Sequence, residues 1–273
     1  MSIRRGITAD GRDRLRLLTR NAKGPINRDL AAKVWSVPTA QATRWLIDLA
    51  NAGWLLRVKR GSYLAVPADI SASDMTAEDP WILGSALFAP AYIGGWSALE
   101  HWELTEQVFA STMVFTSKRV RKTSTELGGA RFQIRTIDQG KFFGLKSVWR
   151  GSTRVQVSDP TRTMIDLFND PSIGGGIRPT TEALQIYLRR NDSDLKLLTR
   201  YAADMSNGAI FKRLGFVAES LGIADSRFIE ECQAHLSKGF SKLDPTLESK
   251  NLSTKWRLWY PDSWKNEERV RDR

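Results

Sequence analysis

Thr39, Gln41, Thr43 and Arg44 fall in one short stretch, "VPTAQATRWLIDLA", and Arg57, Lys59 and Arg60 follow in "LLRVKRGSYLAV". These residue types suit one kind of chemistry. A glutamine amide pairs with the edge of adenine, a guanidinium with guanine, and a threonine methyl touches the thymine methyl in a duplex major groove. Cations on a tight turn suit phosphate oxygens, which position a protein without reading sequence. Arg28 and Lys33, just upstream, could hold the flanking backbone. The plainer alternative for the same residues is a solvated helix face and a turn kept soluble by its charge.

Catalytic chemistry finds less to work with. His101 and His235 are the only histidines, and neither stands at ligand spacing from the other or from Cys232, the single cysteine. Asp159, Arg162 and Asp166 could suggest acid–base work. Their spacing reads more simply as a helix N-cap and an i,i+4 ion pair. The glycines at 174–176 have no following lysine of a phosphate loop and read as a turn. No catalytic residue, metal or cofactor is expected, and the chain reads as non-enzymatic.

The elements around the first cluster are legible. A helix is predicted from about Thr8 to Ala22. Asn27 caps a second, "RDLAAKVW", whose Leu30, Ala31 and Val34 share a face. "SVP" breaks it. Thr39 is expected to cap a third helix, with Ala42, Trp45, Leu46 and Leu49 inward and Gly53 as the C-terminal stop. Trp35 and Trp45 then belong to the core rather than to a base-stacking surface. "WLLRV" and "SYLAV" follow as strands joined at Gly61. That order is a winged helix-turn-helix, and its third helix would enter the major groove.

Charge follows the same division. The net charge is +11. Residues 1–67 hold 13 Lys+Arg against 4 Asp+Glu, a net of +9, whereas the rest is nearly balanced at 28 against 26. Positive charge gathered in one module is the footprint of a phosphate-backbone binder. A membrane surface fits less well, since no bulky apolar face opposes the cations. No apolar run approaches a membrane span, and "MSIRRGITADGRDRLR" lacks the apolar core of a secretory signal. The lone cysteine fits a reducing cytoplasm.

The expected organisation is α+β: a winged helix-turn-helix over 1–67, a linker over 68–80, and a mixed α/β domain over 81–273. In the last, "WILGSALF" opens as a helix. The segments "TMVFTS", "ARFQIRTI", "KSVWR" and "TRVQVS" form a mainly antiparallel sheet, and the helices from Pro160 onward form a bundle. The tail holds "SKLDP" and a strand-like "KWRLWY".

Five motifs occur in a telling order: "GWLLRVKRGSYLAV", "AYIGGWSALEHWEL", "VSDPTRTMIDLF", "AIFKRLGFVAES" and "SKLDP" with "KWRLWY". From about Arg28 to Tyr260 the chain resembles the AbiEi-type antitoxin family of type IV toxin–antitoxin systems. The resemblance implies a bacterial transcriptional repressor that binds inverted repeats in double-stranded operator DNA and so autoregulates its operon. It also implies an antitoxin that counteracts a nucleotidyltransferase-type toxin, in such systems usually without a stable complex. It places the wing at Arg57, Lys59, Arg60 and Tyr63 and the reading helix at residues 39–52. It supplies no catalytic residue. Arg119, Arg121, Lys122, Arg135, Lys212 and Arg213 are candidates for an antitoxic surface, though Lys212 and Arg213, in "FKRLG", read equally well as structural. No heptad seam is present, so a monomer or weak dimer that pairs cooperatively on DNA is expected. The competing classes are a nucleic-acid-processing enzyme with a winged-helix specificity domain and a winged-helix module that binds protein.

Overall fold

The computed structural model describes residues 6–22, 26–59, 61–66, 79–127, 129–151, 153–223 and 225–264. Its N-terminal unit runs α1 (Ala9–Asn21), β1 (Ile26–Asn27), α2 (Arg28–Trp35), α3 (Thr39–Asn51), β2 (Leu55–Lys59) and β3 (Ser62–Ala65). Local chemistry sets most of these ends. Thr8 Oγ1 accepts from the Gly11 amide at 3.1 Å, and Asn27 Oδ1 accepts from the Leu30 amide at 2.8 Å. Each satisfies an orphan donor at a helix start. Gly53 sits at φ 80°, where the Trp54 amide reaches the Leu49 carbonyl and its own amide reaches that of Ala50. This pair of bonds closes α3 and needs a left-handed residue, which favours glycine.

Thr39 is not the cap the sequence suggested. Pro38, with extended backbone, takes the cap position, and Thr39 is already the first helical residue. Among the described residues no side chain caps this helix. The hairpin β2–β3 is antiparallel, with a register shift between Arg57 and Lys59. β1 adds a third strand, pairing Ile26 with Tyr63. The core inside is Leu18, Ala31, Ala42, Leu46, Leu49 and Leu55, closed by Ile26 and Tyr63.

The second unit is built on a six-stranded sheet. Its strands are β4 (Ala91–Ile93), β5 (Thr112–Thr116), β6 (Ser124–Leu127), β7 (Ala130–Thr136), β8 (Leu145–Arg150) and β9 (Thr153–Ser158), in the order β6-β7-β5-β4-β9-β8. Three of the five pairings are antiparallel, and two, β5–β7 and β4–β9, are parallel. The sheet is therefore mixed. β6 folds back on β7 as a hairpin, which returns β7 to the sheet in the same direction as β5.

Helix α4 (Pro80–Phe88) covers one face of the sheet with Trp81, Leu83 and Leu87 against Ile93, Val114, Phe132 and Val157. Leu56 and Leu64 of the hairpin pack against this same cluster, so the two units touch. The other face carries α5 (Gly95–His101), α6 (Pro160–Asn169), α7 (Ile177–Leu188), α8 (Leu195–Asp204), α9 (Gly208–Ser220) and α10 (Ser226–Ala234). After these helices comes a small sheet of β10 (Ser241–Lys242), β11 (Asn251–Ser253) and β12 (Leu258–Tyr260). The whole is mixed α and β with several sheets. Among the described residues no helix is long and apolar enough to cross a membrane.

Packing of α9 leaves a test. A Cβ on Gly215 would lie 2.0 Å from the ring of Trp256, which is itself buried. Helix propensity alone would favour alanine there by about 1 kcal/mol. Overpacking a close contact costs about 1–3 kcal/mol. Gly215→Ala is therefore expected to lower the urea midpoint. A raised midpoint would mean that Trp256 does not seat on this glycine.

Candidate nucleic-acid interface

The hairpin, the start of α2 and the middle of α3 enclose a concavity of about 560 Å³ in the N-terminal unit. Its walls include Arg28 and Asp29 from α2, Thr43 and Ile47 from α3, and Arg57 and Gly61 from the hairpin. Arg28 is exposed, and its ion pair with Asp29 is loose, 3.6 Å between exposed groups. Such a surface pair holds a guanidinium only weakly. Arg57 is exposed on β2. The backbone of Lys59 closes β2, but its side chain lies outside the described residues, as does Arg60. Tyr63 is buried beneath the hairpin rather than presented by it.

Burial along α3 fixes what each candidate faces. Ala42, Leu46 and Leu49 point inward. At about 100° per residue, Gln41 and Thr43 leave this stripe on opposite sides, and Arg44 stands at the middle of the solvent arc. Thr43 is half-buried on the hairpin side, and its hydroxyl donates to the Thr39 carbonyl at 2.7 Å. Gln41 is exposed on the flank toward Trp45. Thr39 and Arg44 are exposed, as is Lys33 on α2. The fold thus gathers Arg28, Thr43 and Arg57 around one concavity and leaves Gln41 on the far wall of the same helix. A helix laid in a groove about 12 Å wide can present both walls to base edges.

Ile47, 41% exposed, also lines the concavity, an apolar position that polar-residue reasoning passes over. Its period with Thr43, i to i+4, was the available signal. The two tryptophans serve packing. Trp35 meets Trp45 edge-on, and its Nε1 donates to the Arg14 carbonyl at 2.9 Å. The Arg14 guanidinium lies 3.6 Å over the Trp45 ring and pairs with Asp10. Arg14 is therefore part of the scaffold, whereas Arg12, Arg16 and Arg20 are exposed along α1. Arg4 and Arg5 lie outside the described residues.

The other clusters in the second unit are mostly structural. Arg162 Nε donates to Asp166 Oδ1 at 2.9 Å, and Tyr92 accepts from Arg162 Nη2 while donating to Asp166 Oδ2, both at 3.2 Å. All three side chains are buried. Burial pushes the Tyr92 hydroxyl well above its ordinary value, so it stays protonated and able to donate. Asp159 caps α6 through the Arg162 amide at 2.7 Å. Lys212 and Arg213 are not surface candidates. Both are buried; Lys212 donates to the Gly239 carbonyl, and Arg213 donates to the carbonyls of Lys242, Phe168 and Asn169 at 2.8–2.9 Å. Arg135 is half-buried against Asp170 and Ser172, whereas Arg119, Arg121 and Lys122 are exposed after β5.

Both histidines rest against aromatic rings, and the cysteine is buried. His101 meets Trp81 and Trp102 edge-on, and burial beside Arg150 lowers its pKa. His235 stacks on Phe211. Burial pushes the Cys232 thiol up to about 12, the state of an inert thiol rather than a nucleophile. The turn at Gly175 and Gly176 leads into α7, whose first amide, Ile177, donates to buried Asp244 at 2.9 Å. The acid of "SKLDP" thus closes a helix start that would otherwise be open to an outside anion. No family model matches the chain, and no curated protein matches it.

Proposed function

We propose that this chain is a DNA-binding transcriptional repressor and an antitoxin of the AbiEi type. On this reading the unit over 1–67 is a winged helix-turn-helix, with α3 as reading helix and β2–β3 as wing. The observation that carries the DNA-binding half is the pair of exposed cations Arg28 and Arg57 lining the concavity beside α3, with exposed Arg44 on α3 and Lys33 on α2, within residues 1–67 of net +9. The antitoxin half rests on the order of the five sequence motifs. It implies operator repeats bound by two copies, a nucleotidyltransferase-type toxin as antagonist, cytoplasmic action and no catalysis by this chain.

Positioning and reading should separate in mutants. Arg57→Ala is expected to weaken all duplexes alike, because phosphates carry no sequence information. Gln41→Ala and Arg44→Ala should each lose about 1–3 kcal/mol on the cognate duplex and little on random DNA. Anisotropy with a duplex from the chain's own promoter region, beside a shuffled duplex, reads both. Equal losses on the two duplexes for all three variants would put the reading surface elsewhere.

A further inference from the structure

The small terminal sheet presents a row of outward side chains across its three strands. Lys242 of β10 stands opposite Trp259 of β12, and Trp259 opposite Leu252 of β11. Strand alternation sends Leu258 and Tyr260 inward, where both are buried, and leaves Trp259 outward. Trp259 is 39% exposed and Leu252 37%. Neighbouring strands lie about 4.8 Å apart, so the indole has an ammonium on one side and an apolar side chain on the other.

More of the same chemistry adjoins this row. Phe240 lies two residues before Lys242 and is 56% exposed. Arg257 lies two residues before Trp259 and spends one donor on the Ser237 carbonyl, at 3.1 Å, of the five that a guanidinium carries. Of the neighbouring lysines, Lys250 pairs with Glu248 and Lys255 with Glu219. Lys242 and Arg257 have no ion pair among the described residues. Exposed rings with unmatched charge of one sign complement a chain of flat bases and phosphates. Every base has a π-face for an aromatic platform, and cations beside it track the backbone.

We propose that this face binds single-stranded nucleic acid, with Trp259 and Phe240 as stacking platforms for bases and Lys242 and Arg257 facing the phosphates. The site is separate from the N-terminal concavity and does not depend on duplex binding there. A sheet whose outward aromatics carry splayed bases is an established way to hold a single strand.

The test is fluorescence anisotropy of fluorescein-labelled oligo(dT) and oligo(U), each of about 12 nucleotides, titrated with the full chain. Trp259→Ala is expected to weaken binding about 5- to 150-fold, the worth of one stacked base. Trp259→Phe should keep most of the affinity. Lys242→Ala should reduce the salt slope by about 0.7. Arg44→Ala and Arg57→Ala should leave single-strand binding in place, which separates this face from the duplex interface. Failure of both oligonucleotides to bind overturns the proposal. So does unchanged affinity in a Trp259→Ala protein whose urea midpoint matches the parent. If Trp259→Ala does not fold, Lys242→Glu carries the same test, and unchanged affinity there overturns it equally.

Discussion

Asp166→Ala is expected to remove about 3–5 kcal/mol of folding stability. The Arg162 and Asp166 side chains are 0% and 1% exposed, and their 2.9 Å contact is a buried ion pair. Burial pushes the Asp166 carboxyl upward, while Arg162 and the Tyr92 hydroxyl hold it down. Removing the carboxylate strands the guanidinium without a counter-charge. Arg162 Nη1 already has no hydrogen-bond partner among the described residues, and the guanidinium otherwise faces the Phe143 ring at 4.2 Å. A domain's whole stability is about 5–15 kcal/mol, so the single variant approaches unfolding.

The paired change distinguishes charge from packing. Replacing both partners, Arg162→Met with Asp166→Leu, should recover most of that loss, because no charge is then left buried. Urea unfolding of the two singles and the double closes the cycle. A loss below about 1 kcal/mol for Asp166→Ala would mean that water reaches the pair.

Duplex binding should fall about 250- to 1,000-fold between 50 and 200 mM salt. Arg44 is exposed on α3, Arg28 and Lys33 on α2, Arg57 on β2, and Arg12, Arg16 and Arg20 along α1. If about five phosphates are neutralised, log K falls with log salt at a slope near −4 to −5. Each cation changed to alanine should make the slope shallower by about 1 if it meets a phosphate. Arg14→Ala is different. Its guanidinium is committed to Trp45 and Asp10, so it should cost stability and leave the slope nearly unchanged. An affinity that ignores salt would remove the electrostatic basis of the proposed function.

What the sequence determined by itself was local. Asn27 and Asp159 cap helices as their positions imply, because a cap bond spans only three residues. Gly53 ends α3, Arg162 and Asp166 pair one turn apart, and the hairpin closes at Gly61 for the same reason of short reach. The concentration of charge before residue 67 was equally plain, since it needs no geometry. Even locally, competition between neighbours escaped notice: Pro38 took the cap position from Thr39.

Tertiary structure decided which side chains meet water. Lys212 and Arg213 in "FKRLG" read equally as surface or structural cations, and backbone carbonyls from distant segments, which satisfy them in the interior, decide for the second. Lys242 looks no different, yet register with Trp259 leaves it outside. The parallel pairing of β5 with β7, the joining of β1 to β3, the seat of Trp256 on Gly215 and the hold of Asp244 on α7 are likewise long-range. Each depends on chain closure across many residues, which composition and period do not encode. A charge's type is written in the sequence, but its partner and its exposure are set only when the segments around it have packed.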